Sequence, residues 1–294
     1  MKKLLAKLVG WYFNTLVFFA PRLVGRQGFY LFSTPMRGAL KDHHHEFLNT
    51  AQKFTFQSDG NTLQAFKWGT GPKVILFLHG WQSQTFRWKN YIQALSHEEF
   101  TIYAFDAPGH GQSSGKRLNL PIYSNALEEF IRQIEPVHTI VGHSLGSFAA
   151  LHSYYRLESL PVKQMIVLAT PGEVNDFARL YQQTLGLSER SVRAVRSGFL
   201  ELIHHLPEYY SAPKFVQSIQ VPGLIIHDEH DPETPYHHAL AIHKAWKKSR
   251  LITTHGLGHN LRSASVVREV VNFIRGKSTE ASLREEYLHP VHLN

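Results

Sequence analysis

Residues 139–149 read TIVGHSLGSFA, and the segment GHSLG at residues 142–146 has the pattern G-x-S-x-G. This pattern is typical of a serine on a sharp turn between a strand and a helix. The flanks suit both elements, because Val137–Val141 is rich in β-branched residues, as strands are, and residues 145–156 contain no proline. The two motif glycines remove side chains where strand and helix come close. We therefore predict that Ser144 is a nucleophile at a helix N-terminus, where the helix dipole favours developing negative charge.

The same pattern occurs a second time, in GQSSG at residues 111–115, with Ser113 at its centre. This serine follows the segment APGHG and precedes KRLN, so that no strand enters the motif and no helix begins at once. We interpret the segment as a tight loop whose glycines permit unusual dihedrals. Ser113 is therefore not expected to be a nucleophile.

Continuous apolar runs predict strands that are buried on both faces, as in a parallel sheet. These runs are Val74–Leu78, Phe100–Phe105, Val137–Val141, Met165–Ala169, Gly223–Ile226 and Leu251–Thr253. A hairpin with Asp59-Gly60 in its turn is expected to precede them, at Lys53–Gln57 and Leu63–Trp68.

Helical patterns lie between the runs, at Thr85–Leu95, Leu127–Ile134, Gly146–Leu157, His237–Lys247 and Ser263–Ile274. The alternation indicates an α/β fold: a mostly parallel central sheet with helices on both faces. Residues 172–218 break it, because their apolar residues recur at helical intervals without a strand. We interpret this segment as a helical lid insertion over the strand ends.

A serine hydroxyl needs a base, usually histidine, and a carboxylate that orients the base. Asp231 follows the run that ends near residue 227, and His259 lies in the loop GLGHN after the next run. Both positions fall at the carboxyl edge of the predicted sheet, where open α/β sheets place their sites. We predict a triad of Ser144, Asp231 and His259.

Neighbouring residues offer alternatives for the two partners of the serine. Asp228 or Glu229 could serve as the acid, and His255 as the base. We favour Asp231 because its loop can turn back toward the site, and His259 because His255 ends a strand that fixes its direction.

Two backbone N–H groups are expected to bind the developing oxyanion. One belongs to Leu145, the residue after the nucleophile. The other is assigned to Trp81, in the loop HGWQS after the run at residues 74–78.

These motifs together resemble the α/β-hydrolase superfamily over residues 50–276. The matching segments are LFLHGW (76–81), FDAPGHGQSS (105–114), VGHSLGS (141–147), HDEHDPETP (227–235) and GLGHN (256–260), in the order typical of the family. The resemblance implies an α/β-hydrolase fold with a lid, an architectural role for Asp106 and a triad acid at Asp231. It does not imply a reaction class, because this fold hosts several.

The N-terminal segment differs from the rest of the chain. Its apolar run contains Lys7 and Asn14 and is too short for a membrane span. Leu4, Leu5, Leu8, Tyr12, Leu16 and Phe19 recur at helical spacing instead. The predicted amphipathic helix packs on the body of the protein or lies on a membrane surface, and both alternatives stay open. The histidine-rich segment DHHHE at residues 42–46 is interpreted as a solvated linker rather than a metal site.

The chain is thus divided into an N-terminal helix and linker (1–45), a hydrolase domain (46–276) with its lid at about 172–218, and a C-terminal tail (277–294). Its formal charge of +8 comes from scattered basic residues, so no nucleic-acid partner is expected. The absence of cysteine excludes a thiol nucleophile and cysteine-ligated zinc. No cofactor and no metal are expected, and the location is predicted to be cytoplasmic, with membrane association left open.

The sequence therefore predicts a serine hydrolase that cleaves an ester or related acyl bond in a small-molecule acyl substrate. A peptidase or a carbon–carbon hydrolase on the same fold is an alternative. A non-catalytic binding protein that keeps the fold is another.

Overall fold

The computed structural model describes residues 2–134 and 136–277, so the predicted tail lies outside the described residues apart from Lys277. Within them, eight strands form a single sheet. In chain order the strands are β1 (Gln52–Ser58), β2 (Asn61–Trp68), β3 (Lys73–Leu78), β4 (Phe100–Phe105), β5 (Val137–His143), β6 (Val162–Leu168), β7 (Gly223–Asp228) and β8 (Ser249–Thr254).

The spatial order of the sheet is β1-β2-β4-β3-β5-β6-β7-β8. The hairpin of β1 and β2 is antiparallel, and β2 also runs antiparallel to β4. All remaining neighbours are parallel. Asp59 and Gly60 both have positive φ, at 46° and 71°, as a tight hairpin turn requires. The predicted fold class is therefore confirmed.

The continuous apolar runs are buried because both faces of the sheet are covered. Along β3, Leu76 and Leu78 pack into one apolar cluster, whereas Ile75 and Phe77 pack into a second cluster on the other face. Alternate side chains of a strand point to opposite faces, so one run supplies both cores. In the sheet, β3, β5, β6, β7 and β8 are neighbours and run parallel. Their carboxyl ends therefore lie at the same edge of the sheet.

Helices cover the sheet and fill the long connection between β6 and β7. They are α1 (Lys2–Leu16), α2 (Pro21–Phe32), α3 (Asp42–Leu48), α4 (Lys89–Ala94), α5 (Leu120–Ile131), α6 (Leu145–Arg156), α7 (Val174–Leu185), α8 (Glu189–Ile203), α9 (Ala212–Phe215), α10 (His237–Ala245) and α11 (Ala264–Ile274). Short 3₁₀ turns occupy Thr85–Trp88, Pro207–Tyr209 and Val216–Ser218.

One predicted helix begins earlier than its apolar pattern indicated. α5 starts at Leu120 rather than at Leu127, because the Asn119 side chain accepts a hydrogen bond from the Ile122 N–H at 3.0 Å. Asparagine at this position satisfies a donor that has no acceptor within the helix.

The DHHHE segment belongs to α3 (Asp42–Leu48) and is not an extended linker, whereas His43 and His45 are exposed, as the interpretation of solvated histidines predicts. Phe47 and Leu48 are buried in the core beneath the sheet, and they anchor the end of the helix. The His44 ring lies 4.1 Å from the Phe86 ring, between centroids, and its Nδ1 pairs with Gln84 Nε2 at 3.1 Å. The histidine run thus forms packing contacts on one side instead of being solvated throughout.

The N-terminal helices pack on the helical insertion rather than on the sheet. Phe13, Val17 and Val24 share an apolar cluster with Leu185 and Ala194 of the insertion. A second shared cluster joins Phe29 of α2 to Val195 and Phe199 of α8.

Close backbone contact binds α2 to α8. A Cβ built at Gly25 would lie 2.4 Å from the Ala194 carbonyl oxygen, and one at Gly198 would lie 2.2 Å from the Gly25 carbonyl oxygen. Only glycine allows α2 and α8 to approach this closely. Because α8 is part of the insertion, the N-terminal helices and the insertion form one packed unit.

The side of α1 that packs against the insertion differs from the side that the apolar spacing predicted to be apolar. Leu4, Leu5, Leu8 and Tyr12 are exposed, whereas Gly10, Phe13 and Val17 face the insertion. α1 is therefore apolar on both sides. Among the described residues, no helix has the length and apolar content required to cross a bilayer.

Candidate active site

Ser144 occupies the turn between β5 and α6, as the motif predicted. Its φ and ψ are 51° and −122°, a combination that a residue with a side chain rarely adopts. Its N–H donates to the Leu168 carbonyl at the end of β6, at 2.8 Å, and its carbonyl accepts the N–H of Phe148 at 3.1 Å. The turn is thus held from both sides, which maintains the strained backbone.

The motif glycines are required by close approach. A Cβ at Gly142 would lie 2.5 Å from the backbone of Ser147. A Cβ at Gly146 would lie 2.4 Å from the Leu78 carbonyl oxygen at the end of β3. These distances are shorter than non-bonded contacts permit, so a larger residue at either position would displace α6 from the sheet.

Asp231 and His259 come together at the carboxyl ends of β7 and β8. Asp231 Oδ2 accepts a hydrogen bond from His259 Nδ1 at 2.8 Å. Because a carboxylate can only accept, Nδ1 is the nitrogen that donates in this pair, and Nε2 is left to face the site. Burial raises the pKa of Asp231, but hydrogen bonds from His259, Thr234 and Glu233 outweigh burial and lower this pKa to about 2. Asp231 is therefore ionised at neutral pH.

Thr234 completes the surroundings of this pair. Its hydroxyl donates to Asp231 Oδ2 at 2.7 Å and lies 3.2 Å from His259 Nδ1, and the residue is fully buried. His227 Nε2 donates to the Thr234 carbonyl at 2.7 Å, so the loop after β7 is tied back to that strand. Sequence reasoning missed both residues.

His143 connects the serine turn to the histidine loop. Its Nε2 donates to the His259 carbonyl at 2.8 Å, and the centroids of the two rings lie 4.9 Å apart. Burial lowers the pKa of His143 well below its usual value, so the ring is neutral. In the described part of the structure, Ser144 Oγ does not form a hydrogen bond with His259. The Nε2 atom of His259 lies 3.7 Å from Glu233 Oε2.

The three side chains of the predicted triad are all buried. Ser144, Asp231 and His259 expose 8%, 7% and 9% of their surface, respectively.

The alternative acids and the alternative base have other partners. Asp228 accepts hydrogen bonds from the Leu257 N–H at 2.8 Å and from Thr254 Oγ1 at 2.9 Å, so it supports the loop that carries His259. Glu229 Oε1 lies 2.5 Å from His255 Nδ1, and the His255 side chain is 46% exposed. The geometry therefore favours Asp231 and His259 over these neighbours.

The loop after β3 lies against the serine turn. A Cβ at Gly80 would lie 3.0 Å from Ser144 Cβ, which places the adjacent Trp81 beside the nucleophile candidate. Leu145 is the first residue of α6, and its N–H has no acceptor within the helix. The Trp81 side chain is half-buried against the main apolar cluster.

Two neutral histidines hold this loop in place. The Gln82 N–H donates to His110 Nε2 at 3.0 Å, while His110 Nδ1 donates to the Pro108 carbonyl at 3.0 Å. His79 Nε2 accepts the Ala107 N–H at 2.9 Å. Burial lowers the pKa of His79 to about 4 and that of His110 to about 3, so each ring can donate through one nitrogen and accept through the other.

The second serine motif forms a structural loop, as expected. Ser113 Oγ accepts the Gln64 N–H from β2 at 2.8 Å. Asp106 is fully buried and accepts the N–H groups of Thr85 and Gln112, each at 2.8 Å. Burial raises the pKa of Asp106. These contacts bind the loop to β2 and to Thr85.

Asp176, His237 and His238 are the described residues whose potential ligand atoms gather within 4.8 Å of one another. His238 Nε2 donates to Asp176 Oδ2 at 2.9 Å, and Arg179 Nη1 lies 3.9 Å from the same carboxylate. The hydrogen bond between His238 and Asp176 joins α7 of the insertion to α10.

A family comparison agrees with this architecture. Residues 75–271 match the model of the alpha/beta hydrolase family, and the chain belongs to that family of enzymes.

Curated relatives match over shorter segments. An uncharacterised protein of Mycobacterium bovis is 35% identical over 112 residues, which cover 37% of this chain and 32% of that protein. A pimeloyl-acyl-carrier-protein methyl ester esterase of Stenotrophomonas maltophilia is 36% identical over 105 residues, covering 35% of this chain and 38% of the esterase. The chain thus spans about a third of the length of these relatives.

The naproxen esterase of Bacillus subtilis has a similar fold, with a TM-score of 0.57 at 18% identity. The similarity covers 80% of this chain and 99% of that structure.

We predict that Gly146→Ala destabilises the protein by about 2 kcal/mol or more, because the added methyl group overlaps the end of β3. Urea unfolding of the purified variant measures this change. Gly38→Ala is the matched control, since a Cβ at Gly38 has no neighbour within 4 Å, and we expect a change below about 0.5 kcal/mol. Equal stability of the two variants would contradict the close approach.

We predict that stability falls as the pH drops below about 6.5. His79 and His110 have lowered pKa values in the folded protein, so the unfolded chain binds more protons between pH 6.5 and about 4. Their stabilising effect is complete above pH 6.5 and decreases as the solution is acidified. The two residues together predict a loss of about 3 kcal/mol between pH 8 and pH 5.5.

Urea unfolding at these pH values tests the loss, and His110→Gln should reduce the slope against pH. An unfolding free energy that is the same at both pH values would refute this assignment.

Proposed function

We propose that this protein is a serine hydrolase that cleaves an ester or related acyl bond through an acyl-enzyme intermediate. The observation that carries the proposal is a strained serine turn whose preceding residue, His143, contacts the backbone and ring of His259, which is itself paired with an ionised Asp231. Such an arrangement supplies a nucleophile, a base and an orienting carboxylate at one edge of the sheet.

In the proposed reaction, Ser144 Oγ attacks the acyl carbon while His259 Nε2 takes the hydroxyl proton. The N–H groups of Leu145 and Trp81 stabilise the oxyanion. The imidazolium then protonates the leaving alcohol, and Asp231 stabilises its positive charge. Water attacks the acyl-enzyme with His259 again as base, which releases the acid and restores Ser144.

The similarity to a methyl ester esterase supports an ester as the bond that is cleaved. We therefore propose a small-molecule acyl ester as the substrate. The absence of a nucleic-acid partner and the cytoplasmic location stay predictions.

Ser144→Ala is expected to lower the turnover of a p-nitrophenyl ester by a factor of about 10³ or more, because the covalent step is lost. The matched control is Ser113→Ala in the second motif, which should keep the reaction with a fluorophosphonate probe. Mass spectrometry of the labelled wild-type protein should locate the probe on the peptide that contains Ser144. Labelling of Ser113 instead, or unchanged turnover in Ser144→Ala, would refute the proposal.

Asp231→Asn is expected to lower kcat by about 10³–10⁴, because the amide no longer fixes the tautomer of His259. Glu229→Gln removes a neighbouring acid that pairs with His255 instead, so its kcat should stay within about twofold of the wild type. Steady-state kinetics on the same ester compares the two variants. A similar loss in both would argue against Asp231 as the specific partner.

A further inference from the structure

Large apolar side chains are exposed mainly on the N-terminal helices. Ten of the fourteen such side chains among the described residues belong to residues 4–36, and two more belong to the insertion. We call the group formed by Leu4, Leu5, Leu8, Trp11, Phe18 and Phe19 the N-terminal apolar face. Trp11 is 69% exposed and Phe19 is 84% exposed. A concentration of exposed apolar side chains on one segment is typical of an interaction site.

This face is distinct from the packing of the fold. Leu4, Leu8 and Trp11 follow one another at spacings of four and three residues, so they lie on one side of α1. Phe13 lies on the opposite side, and it is buried against the insertion together with Val17, which follows the helix. Packing within the protein therefore explains why the side of α1 with Phe13 is apolar. It does not explain the apolar side chains on the side with Leu4, Leu8 and Trp11.

The charge of the same segment is uniformly basic. Residues 1–41 contain seven lysine and arginine residues and no acidic residue. Arg190 of α8 adds a cation beside the face, with its guanidinium carbon 4.7 Å from the centroid of the Phe18 ring. Of these residues, Arg22 and Arg26 pair with Glu201 of α8, and Arg37 donates to the Ser113 carbonyl. Lys7 lies three residues after Leu4 and four before Trp11, so it is on the same side of α1 as the face. Cations beside an apolar helix face complement the anionic headgroups of a bilayer.

We propose that the N-terminal apolar face docks on an anionic phospholipid bilayer. α1 has 15 residues and lies along the surface of the membrane rather than across it. A second copy of the chain is the less favoured occupant, because a symmetric contact would bring the basic segments of two copies together. Docking by this face also sets the orientation of the protein, with α7 and α8 held between the bilayer and the sheet.

The test compares the binding of the full-length protein to two kinds of vesicle. Vesicles of phosphatidylcholine with 30% phosphatidylglycerol should co-sediment the protein, and vesicles of phosphatidylcholine alone should bind it at least about tenfold less. Raising the salt from 0.1 M to 0.5 M should weaken binding to the anionic vesicles. The emission of Trp11 should shift to shorter wavelength on binding, since Trp68, Trp88 and Trp246 are already buried.

The double variant Trp11→Glu with Phe19→Glu should lower the partition coefficient at least about tenfold. The matched control is Leu157→Glu with Leu240→Glu, which makes the same change in charge at two exposed leucines outside the N-terminal helices and the insertion, one after the end of α6 and one in α10. The control should bind as the wild type does. Trp11→Phe should also bind normally but lose the spectral shift.

Equal binding by the two double variants would overturn the proposal. A wild-type protein that does not co-sediment with anionic vesicles would overturn it as well. Sedimentation velocity without lipid tests whether a second copy of the chain covers the face instead. In that case the wild type would self-associate and the Trp11→Glu, Phe19→Glu variant would not, which would overturn the proposal. Binding requires no turnover, and Ser144→Ala should bind vesicles normally. Failure of docking is therefore distinguishable from failure of the proposed hydrolase activity.

Discussion

The contact between the Gly146 backbone and the carbonyl groups at the end of β3 is the constraint on which the candidate site depends. It allows α6 to begin immediately after β5, and the backbone must then turn so sharply that Ser144 adopts a positive φ. The same close approach places the loop after β3 beside the serine. One steric requirement thus fixes the positions of the nucleophile candidate and of both backbone donors assigned to the oxyanion.

Neutral histidines act as the connectors around this turn. His79 and His110 each donate through one nitrogen and accept through the other, which a charged ring could not do. His143 performs a related task between the serine turn and the loop of His259. Burial keeps these rings uncharged, so the geometry of the site depends on the same desolvation that makes the fold sensitive to acid.

Much of the architecture could be predicted from the sequence, because a strand buried on both faces produces a continuous apolar run. The order of Ser144, Asp231 and His259 along the chain also locates them at one sheet edge. Thr234 and His143 carry no comparable signal, since their roles arise from contacts between loops distant in sequence. The polarity of the DHHHE segment predicts the exposure of His43 and His45, but its helical conformation depends on the burial of Phe47 and Leu48. Apolar spacing located α1 but could not say which of its two apolar sides would be covered.

The shared clusters of α1, α2 and the insertion have a practical consequence for engineering. Removing the first 32 residues would not yield a simplified catalytic domain, because Leu185, Val195 and Phe199 would lose their cover and face water. Such a truncated product would tend to aggregate, and any loss of membrane binding in it would be confounded with misfolding. Point changes on the outer side of α1 leave this cover intact.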